Sequence, residues 1–132
     1  MPVNKIEALI DAIAHLKGAT TNPDSDLYQM RNPIGIMSFS RPGKNEIDND
    51  GRRVFSTWLA GYRASYFDVD LKCRGKSRAG IKVDDKLENV LRVFGMTERL
   101  AHQQVVKFLR RALKDQGITP ETPLTYFVDD SK

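Results

Sequence analysis

The stretch Arg31-Asn32-Pro33-Ile34-Gly35-Ile36-Met37-Ser38-Phe39-Ser40 is where this chain changes its period. Upstream, apolar residues recur at helical spacing. Within the stretch, Ile34, Ile36, Ser38 and Ser40 alternate with Gly35, Met37 and Phe39, the pattern of a strand. Asn32-Pro33 reads as a turn, because proline fixes its own φ and pushes the residue before it out of the helical region. Arg41-Pro42-Gly43 then breaks the alternation, and after the polar loop Lys44 to Gly51 comes a second short run, Arg52-Arg53-Val54-Phe55. Asp50-Gly51 is a pair that reverses a chain readily. The simplest account is one β-hairpin with a long polar tip, set between helices.

Working outward, Asn4 followed by Glu7 is a capping-box pattern for a first helix. Its apolar stripe is Ile6, Leu9, Ile10 and Ile13, and Gly18 closes it. Ala19 to Met30 reads as an ordered loop, since a helix does not start easily through Asn22-Pro23. Beyond the hairpin, Ser56 is the expected N-cap of a second helix. Trp58, Leu59, Tyr62, Tyr66 and Phe67 form its stripe, while Ala60, Gly61 and Ala64 would admit a neighbouring backbone. This helix is expected to be the most buried. The run from Lys72 to Lys82, with Gly75 and Gly80, reads as a basic loop. Asp85 and Glu88 repeat the capping-box spacing for a short third helix ending at Gly95. Thr97 is the expected cap of a fourth, striped by Ala101, Val105, Phe108, Leu109 and Ala112 and closed by Gly117. The segment from Ile118 carries Pro120 and Pro123, reads as extended, and has Leu124, Tyr126 and Phe127 as anchors. The expected class is α+β, mainly α, with about four helices and one β-hairpin between the first and second. Residues 1–127 read as a single domain and residues 128–132 as a frayed tail.

With 132 residues, 40% of them apolar, the chain can build one core without disulfides or a structural metal. A single cysteine, Cys73, excludes an internal disulfide framework and any multi-cysteine zinc site, and reads as a half-buried hydrophobe or a spare thiol. No run approaches the roughly 18 apolar residues of a membrane span. Glu7 and Asp11 interrupt the N-terminal apolar stretch, so it does not read as a signal peptide, and synthesis in the cytoplasm is expected. The net charge of +4 is unevenly spread. Lys72, Arg74, Lys76, Arg78, Lys82 and Lys86 stand against an acidic hairpin tip bearing Glu46, Asp48 and Asp50.

Chemical motifs are sparse. The chain has no phosphate-binding loop, no dinucleotide fingerprint and no His-Glu-x-x-His, so no cofactor or metal is expected. His15 and His102 stand alone and read as structural or surface residues. Glycoside hydrolysis needs only two carboxylates in a cleft, which makes Glu46 and Asp48 the weak catalytic candidates. An exposed hairpin tip supplies no apolar wall to raise the pKa of an acid. The basic set Lys72, Arg74, Lys76, Arg78 and Lys82 is a docking or nucleic-acid candidate.

The order of elements resembles a family of small lysozyme-like proteins and domains of phages and prophages. That family has a helix ending in Glu-Gly, then Asn-Asn-Pro-Gly-Asn-Ile/Leu-Arg, a hairpin, and a last helix followed by Gly-[Ile/Val]-x-Pro-x-x-Pro-Leu. The corresponding text is Leu16-Lys17-Gly18, then the motif turn Asn32-Pro33-Ile34-Gly35, Val54-Phe55-Ser56, and Gly117-Ile118-Thr119-Pro120-Glu121-Thr122-Pro123-Leu124. The resemblance covers about residues 6 to 124. Two positions depart from it: the turn reads Pro33-Ile34-Gly35, and Lys17 stands where the resemblance puts the general-acid glutamate. A lysine near neutral pH is a cation unsuited to protonating a glycosidic oxygen unless its pKa is strongly lowered.

The resemblance therefore implies a lysozyme-like structural protein of a phage or prophage particle that has lost its acid and docks on other virion proteins. Two alternatives remain: a cell-wall hydrolase with a displaced acid at Glu46 or Asp48, and a small basic nucleic-acid-binding or regulatory protein.

Overall fold

The computed structural model describes residues 4–36, 46–47, 52–76 and 80–128. Six helices and one two-stranded antiparallel pair are found among them: α1 (Lys5–Leu16), α2 (Asp26–Met30), β1 (Glu46–Ile47), β2 (Arg53–Val54), α3 (Trp58–Cys73), α4 (Leu87–Val93), α5 (Arg99–Leu113) and α6 (Thr125–Val128). The fold is mainly helical, as the sequence indicates, and the four expected helices correspond to α1, α3, α4 and α5.

α1 forms because Asn4 caps it and because its apolar residues wrap more than one face. The Glu7 backbone N–H donates to Asn4 Oδ1 at 3.1 Å. Ile6, Ala8, Leu9, Ile10, Ala12, Ile13 and Ala14 are all buried, which makes α1, packed between α3 and α5, the central helix. Each large aliphatic side chain so buried contributes about 1.5–3 kcal/mol of transfer free energy. The expectation that α3 is the most buried helix is thus corrected. Its inner face is Gly61, Ser65, Val69, Lys72 and Cys73, whereas Leu59 and Phe67 stand 57% and 66% exposed. The reason is close approach. A Cβ built on Gly61 would lie 1.8 Å from the Arg31 carbonyl oxygen, so only glycine lets α3 cross there. The expected stripe is thus right only in part: Tyr62 and Tyr66 pack against the core, Leu59 and Phe67 do not, and Gly61 admits a neighbouring backbone as its small size implies.

The hairpin also differs from its reading. β2 pairs with β1 in the register Glu46 to Val54 and Ile47 to Arg53. Ile34 and Ile36 are in no strand, and residues 37–40, expected to continue one, lie outside the described residues, as do Asp48 and Asp50. The Ile36 carbonyl does accept from the Arg53 N–H at 3.0 Å, so Ile36 lies beside β2.

Other boundaries shift by a residue or gain a turn. Thr57, not Ser56, caps α3, accepting from the Ala60 N–H at 3.1 Å. The Asn22-Pro23 loop gives way to the short α2, which ends at Arg31 in a left-handed conformation (φ 54°). Glu98, not Thr97, precedes α5, whose buried stripe is His102, Val105, Val106 and Leu109. The Asp85 carboxylate accepts from the Lys82 N–H rather than capping α4. The first N–H groups of α4 are instead taken by a distant strap: Leu87 donates to the Thr122 carbonyl at 2.8 Å and Glu88 to the Pro120 carbonyl at 2.9 Å. Ile118, Leu124 and Phe127 bury their side chains and hold that strap down. Val128, expected at the start of a frayed tail, is still in α6, and residues 129–132 lie outside the described residues.

Candidate functional site

Two places concentrate polar groups. The first is the Asn32 turn. Asn32 is fully buried, and its side chain uses its whole hydrogen-bonding capacity. Nδ2 donates to the Ile36 carbonyl at 3.1 Å and to the Arg53 carbonyl at 2.9 Å. Oδ1 accepts from the Gly35 and Ile36 N–H groups, both at 3.0 Å. Gly35 takes φ 77°, which a residue with a Cβ adopts only under strain. Asn32 therefore ties the turn to β2 and fixes the place where the end of α1 meets the hairpin.

At that place stands Lys17, the C-cap of α1. Its Nζ donates to the Ile34 carbonyl at 3.2 Å and lies 5.7 Å from the centre of the Phe94 ring. Burial, reinforced by the positive charge of Arg52, pushes its pKa down to about 8. The group is still mostly an ammonium at pH 7, and its neighbourhood holds a second cation. Arg52 pairs with Asp26 at 3.5 Å, and the Arg53 guanidinium lies 4.7 Å from the Phe55 ring centre.

The second place is a cleft of about 1090 Å³ between α4, α5 and the 116–121 segment. Arg92, Arg99, Lys107, Arg110 and Arg111 line it with the acids Glu88 and Glu121. Arg110 Nε donates to the Ile118 carbonyl at 2.8 Å, which fixes the wall of the cleft to α5. Both acids are paired: Glu88 with Arg92 of the same cleft at 3.0 Å, and Glu121 with Lys86 outside the lining at 3.8 Å. Sequence reading missed this set, since its members are spread one per turn between the apolar positions of α5. The signal was available in the polar complement of the stripe, Arg99, Gln103, Lys107, Arg110 and Arg111.

The basic set named from the sequence is not brought together in the manner expected of a loop. Lys72 belongs to the last turn of α3 and is buried, with Nζ 2.6 Å from Asp68 Oδ2 and 5.1 Å from the Phe94 ring centre. Arg74, the C-cap of α3, pairs with Asp70 at 3.1 Å. Lys76 and Lys82 are exposed, and Arg78 lies outside the described residues. Of the weak catalytic candidates, Glu46 is placed in β1 by its backbone, and Asp48 lies outside the described residues.

The remaining reactive side chains serve packing. His102 is buried, and Nε2 donates to the Met96 carbonyl, which binds the start of α5 to the end of α4. Cys73 is fully buried, and desolvation pushes its thiol up to about 12, far from any nucleophilic form at neutral pH. Among the described residues no group of three or more His, Cys, Asp or Glu could hold a metal ion, and no helix is long and apolar enough to cross a membrane. No family model, no curated protein and no solved structure matches the chain.

Proposed function

We propose that the chain is a lysozyme-like structural protein of a phage or prophage particle, built for shape and docking rather than for glycoside cleavage. The observation that carries this reading is the position of Lys17. Its ammonium lies against the Ile34 carbonyl, at the junction of α1 and the hairpin where the resemblance puts a general acid. Glycoside cleavage passes through an oxocarbenium-like, positively charged transition state. A fixed ammonium with Arg52 nearby opposes that charge instead of stabilising it, and at pH 7 it is mostly protonated with no carboxyl role to play. The Asn32 turn supports the same reading, because its hydrogen bonds keep the junction rigid whether or not chemistry takes place there.

The test has two arms. Purified chain incubated with peptidoglycan is expected to release no soluble fragments above buffer; release that disappears in Glu46→Gln would overturn the proposal in favour of a displaced acid. Particles banded on a density gradient from cells carrying the chain are expected to contain it, and its confinement to the soluble fractions would also count against the reading.

A further inference from the structure

We propose that the cleft along α5 is a docking site for the phosphate backbone of duplex nucleic acid, bound without sequence reading. The inference is independent of the lysozyme-like reading and rests on charge and lining alone. Among the described residues, Arg99, Lys107 and Arg111 have no carboxylate partner, whereas Arg110 donates to the Ile118 carbonyl and also feels the Asp115 carboxylate. Three positive charges are thus uncompensated, with Arg110 partly compensated beside them, on one side of a cleft whose two acids are already paired. From Arg99 to Arg111 the helix rises about 18 Å, at about 1.5 Å per residue. Along a duplex that length spans about five phosphates of one strand, at about 3.4 Å each.

The chemistry of the lining selects among polyanions. Arginine presents its donors as a planar fork that fits phosphate oxygens two at a time, and two of the three uncompensated cations, with Arg110 beside them, are arginines. The only aliphatic lining residues are Val106 and Pro120, whereas a protein partner needs an apolar centre depleted of charge. Interfaces with nucleic acid are more polar and far more positive, as this one is. Its one aromatic ring, His102, is buried and engaged with Met96, so no platform exists on which unpaired bases could stack. A duplex, which offers its backbone with its bases already stacked, fits better than a single strand. The two glutamines, Gln103 and Gln116, can add neutral contacts to phosphate or sugar.

The full chain is titrated into a fluorescein-labelled 20-base-pair duplex of arbitrary sequence, and anisotropy is followed from 50 to 200 mM salt. Binding is expected to weaken with salt with a log–log slope of about −3 to −4, for three or four phosphates neutralised. The triple variant Arg99→Gln, Lys107→Gln, Arg111→Gln is expected to bind at least tenfold more weakly at 50 mM salt and to lose about 2.7 units of that slope. A charge-matched control, Arg63→Gln, Lys76→Gln, Lys82→Gln, removes exposed cations elsewhere and is expected to bind within about threefold of wild type. All six positions are exposed, and matching thermal melts establish that both variants are folded; the single Lys107→Glu provides an independent reading, with an expected loss of at least fivefold. Equal losses in the two triple variants would reduce the effect to net charge and overturn the proposal. So would unaltered binding in the cleft variants, absence of binding at 50 mM salt, or tighter binding of a single strand or of polyglutamate than of the duplex.

Discussion

Lys17 Nζ donates to the Ile34 carbonyl oxygen across 3.2 Å, so the end of α1 is fastened to the Asn32 turn by a partly buried cation. Its pKa of about 8 lies below the ordinary 10.5, chiefly because burial penalises the charged form and secondarily because Arg52 repels it. The unfolded chain therefore holds more protons than the folded one between pH 8 and 10.5, and stability attributable to Lys17 rises through that window. Below pH 8 the full cost of the buried ammonium is present. Lys17→Met is expected to be more stable than wild type by about 1 kcal/mol at pH 7, a figure already discounted for partial exposure. Urea unfolding of both proteins at pH 7, 8, 9 and 10 checks this. The stability gap should shrink toward the alkaline end, and a gap that stays constant would show that the ammonium is not penalised by burial. Comparing the pair cancels Cys73, Tyr62 and Tyr126, whose raised pKa values act in the opposite direction at high pH.

Asn32→Ala is expected to cost about 2–5 kcal/mol. It strips the partners from the Gly35 and Ile36 N–H groups and from the Arg53 carbonyl in one step. Asn32→Asp should also destabilise, because a carboxylate cannot donate to the Ile36 and Arg53 carbonyls that Nδ2 now serves. A lower urea midpoint with an unchanged slope is the expected signature in both cases. Wild-type stability in either variant would show that the turn is held by something other than this side chain.

Gly61→Ala pits two effects against each other. Alanine in a helix interior gains about 1 kcal/mol over glycine in propensity, yet its Cβ would lie 1.8 Å from the Arg31 oxygen. The clash should win, and a net loss of about 2 kcal/mol or more in thermal or chemical unfolding is expected. Ala60→Gly, one residue away on the exposed side, should cost only the propensity difference of about 1 kcal/mol. A stabilised Gly61→Ala would mean that α3 does not cross Arg31 as closely as described.

How much of this was legible depended on what each residue reports. α1 and α5 could be read because Ile6, Leu9, Ile10 and Ile13, and then Val105 and Leu109, repeat at helical spacing and are buried as that spacing implies. The Asn4 cap and the Gly18 stop could be read for the same local reason. At Ile34 and Ile36 no strand forms, because alternation records side-chain facing, not backbone pairing; residues 37–40 of the same reading lie outside the described residues. In the described part the tie to β2 is made by the Asn32 side chain together with the backbone bond from the Arg53 N–H to the Ile36 carbonyl. α3 was read only in part: Tyr62 and Tyr66 meet the core and Gly61 admits a backbone as expected, but Trp58, Leu59 and Phe67 carry apolar area that the fold leaves outside, and only the fold reveals that the backbone is that of Arg31. The basic loop lost Lys72 because no breaker separates it from Phe67, and the helix simply continues to Cys73. The cleft on α5 was invisible because its cations are made neighbours by helical geometry, at a spacing that never looks like a cluster in the sequence.

The strap that completes α4 has a consequence for the order of assembly. Leu87 and Glu88 find their acceptors at Thr122 and Pro120, more than thirty residues later. A nascent chain extended only to Gly117 would carry α4 with its leading N–H groups still facing water, and seven residues are too few to hold a helix unaided. The α4 corner is therefore finished by residues that follow it by more than thirty positions. During synthesis α1 and α3 can meet early, whereas the α4 corner closes only when the prolines have emerged behind it.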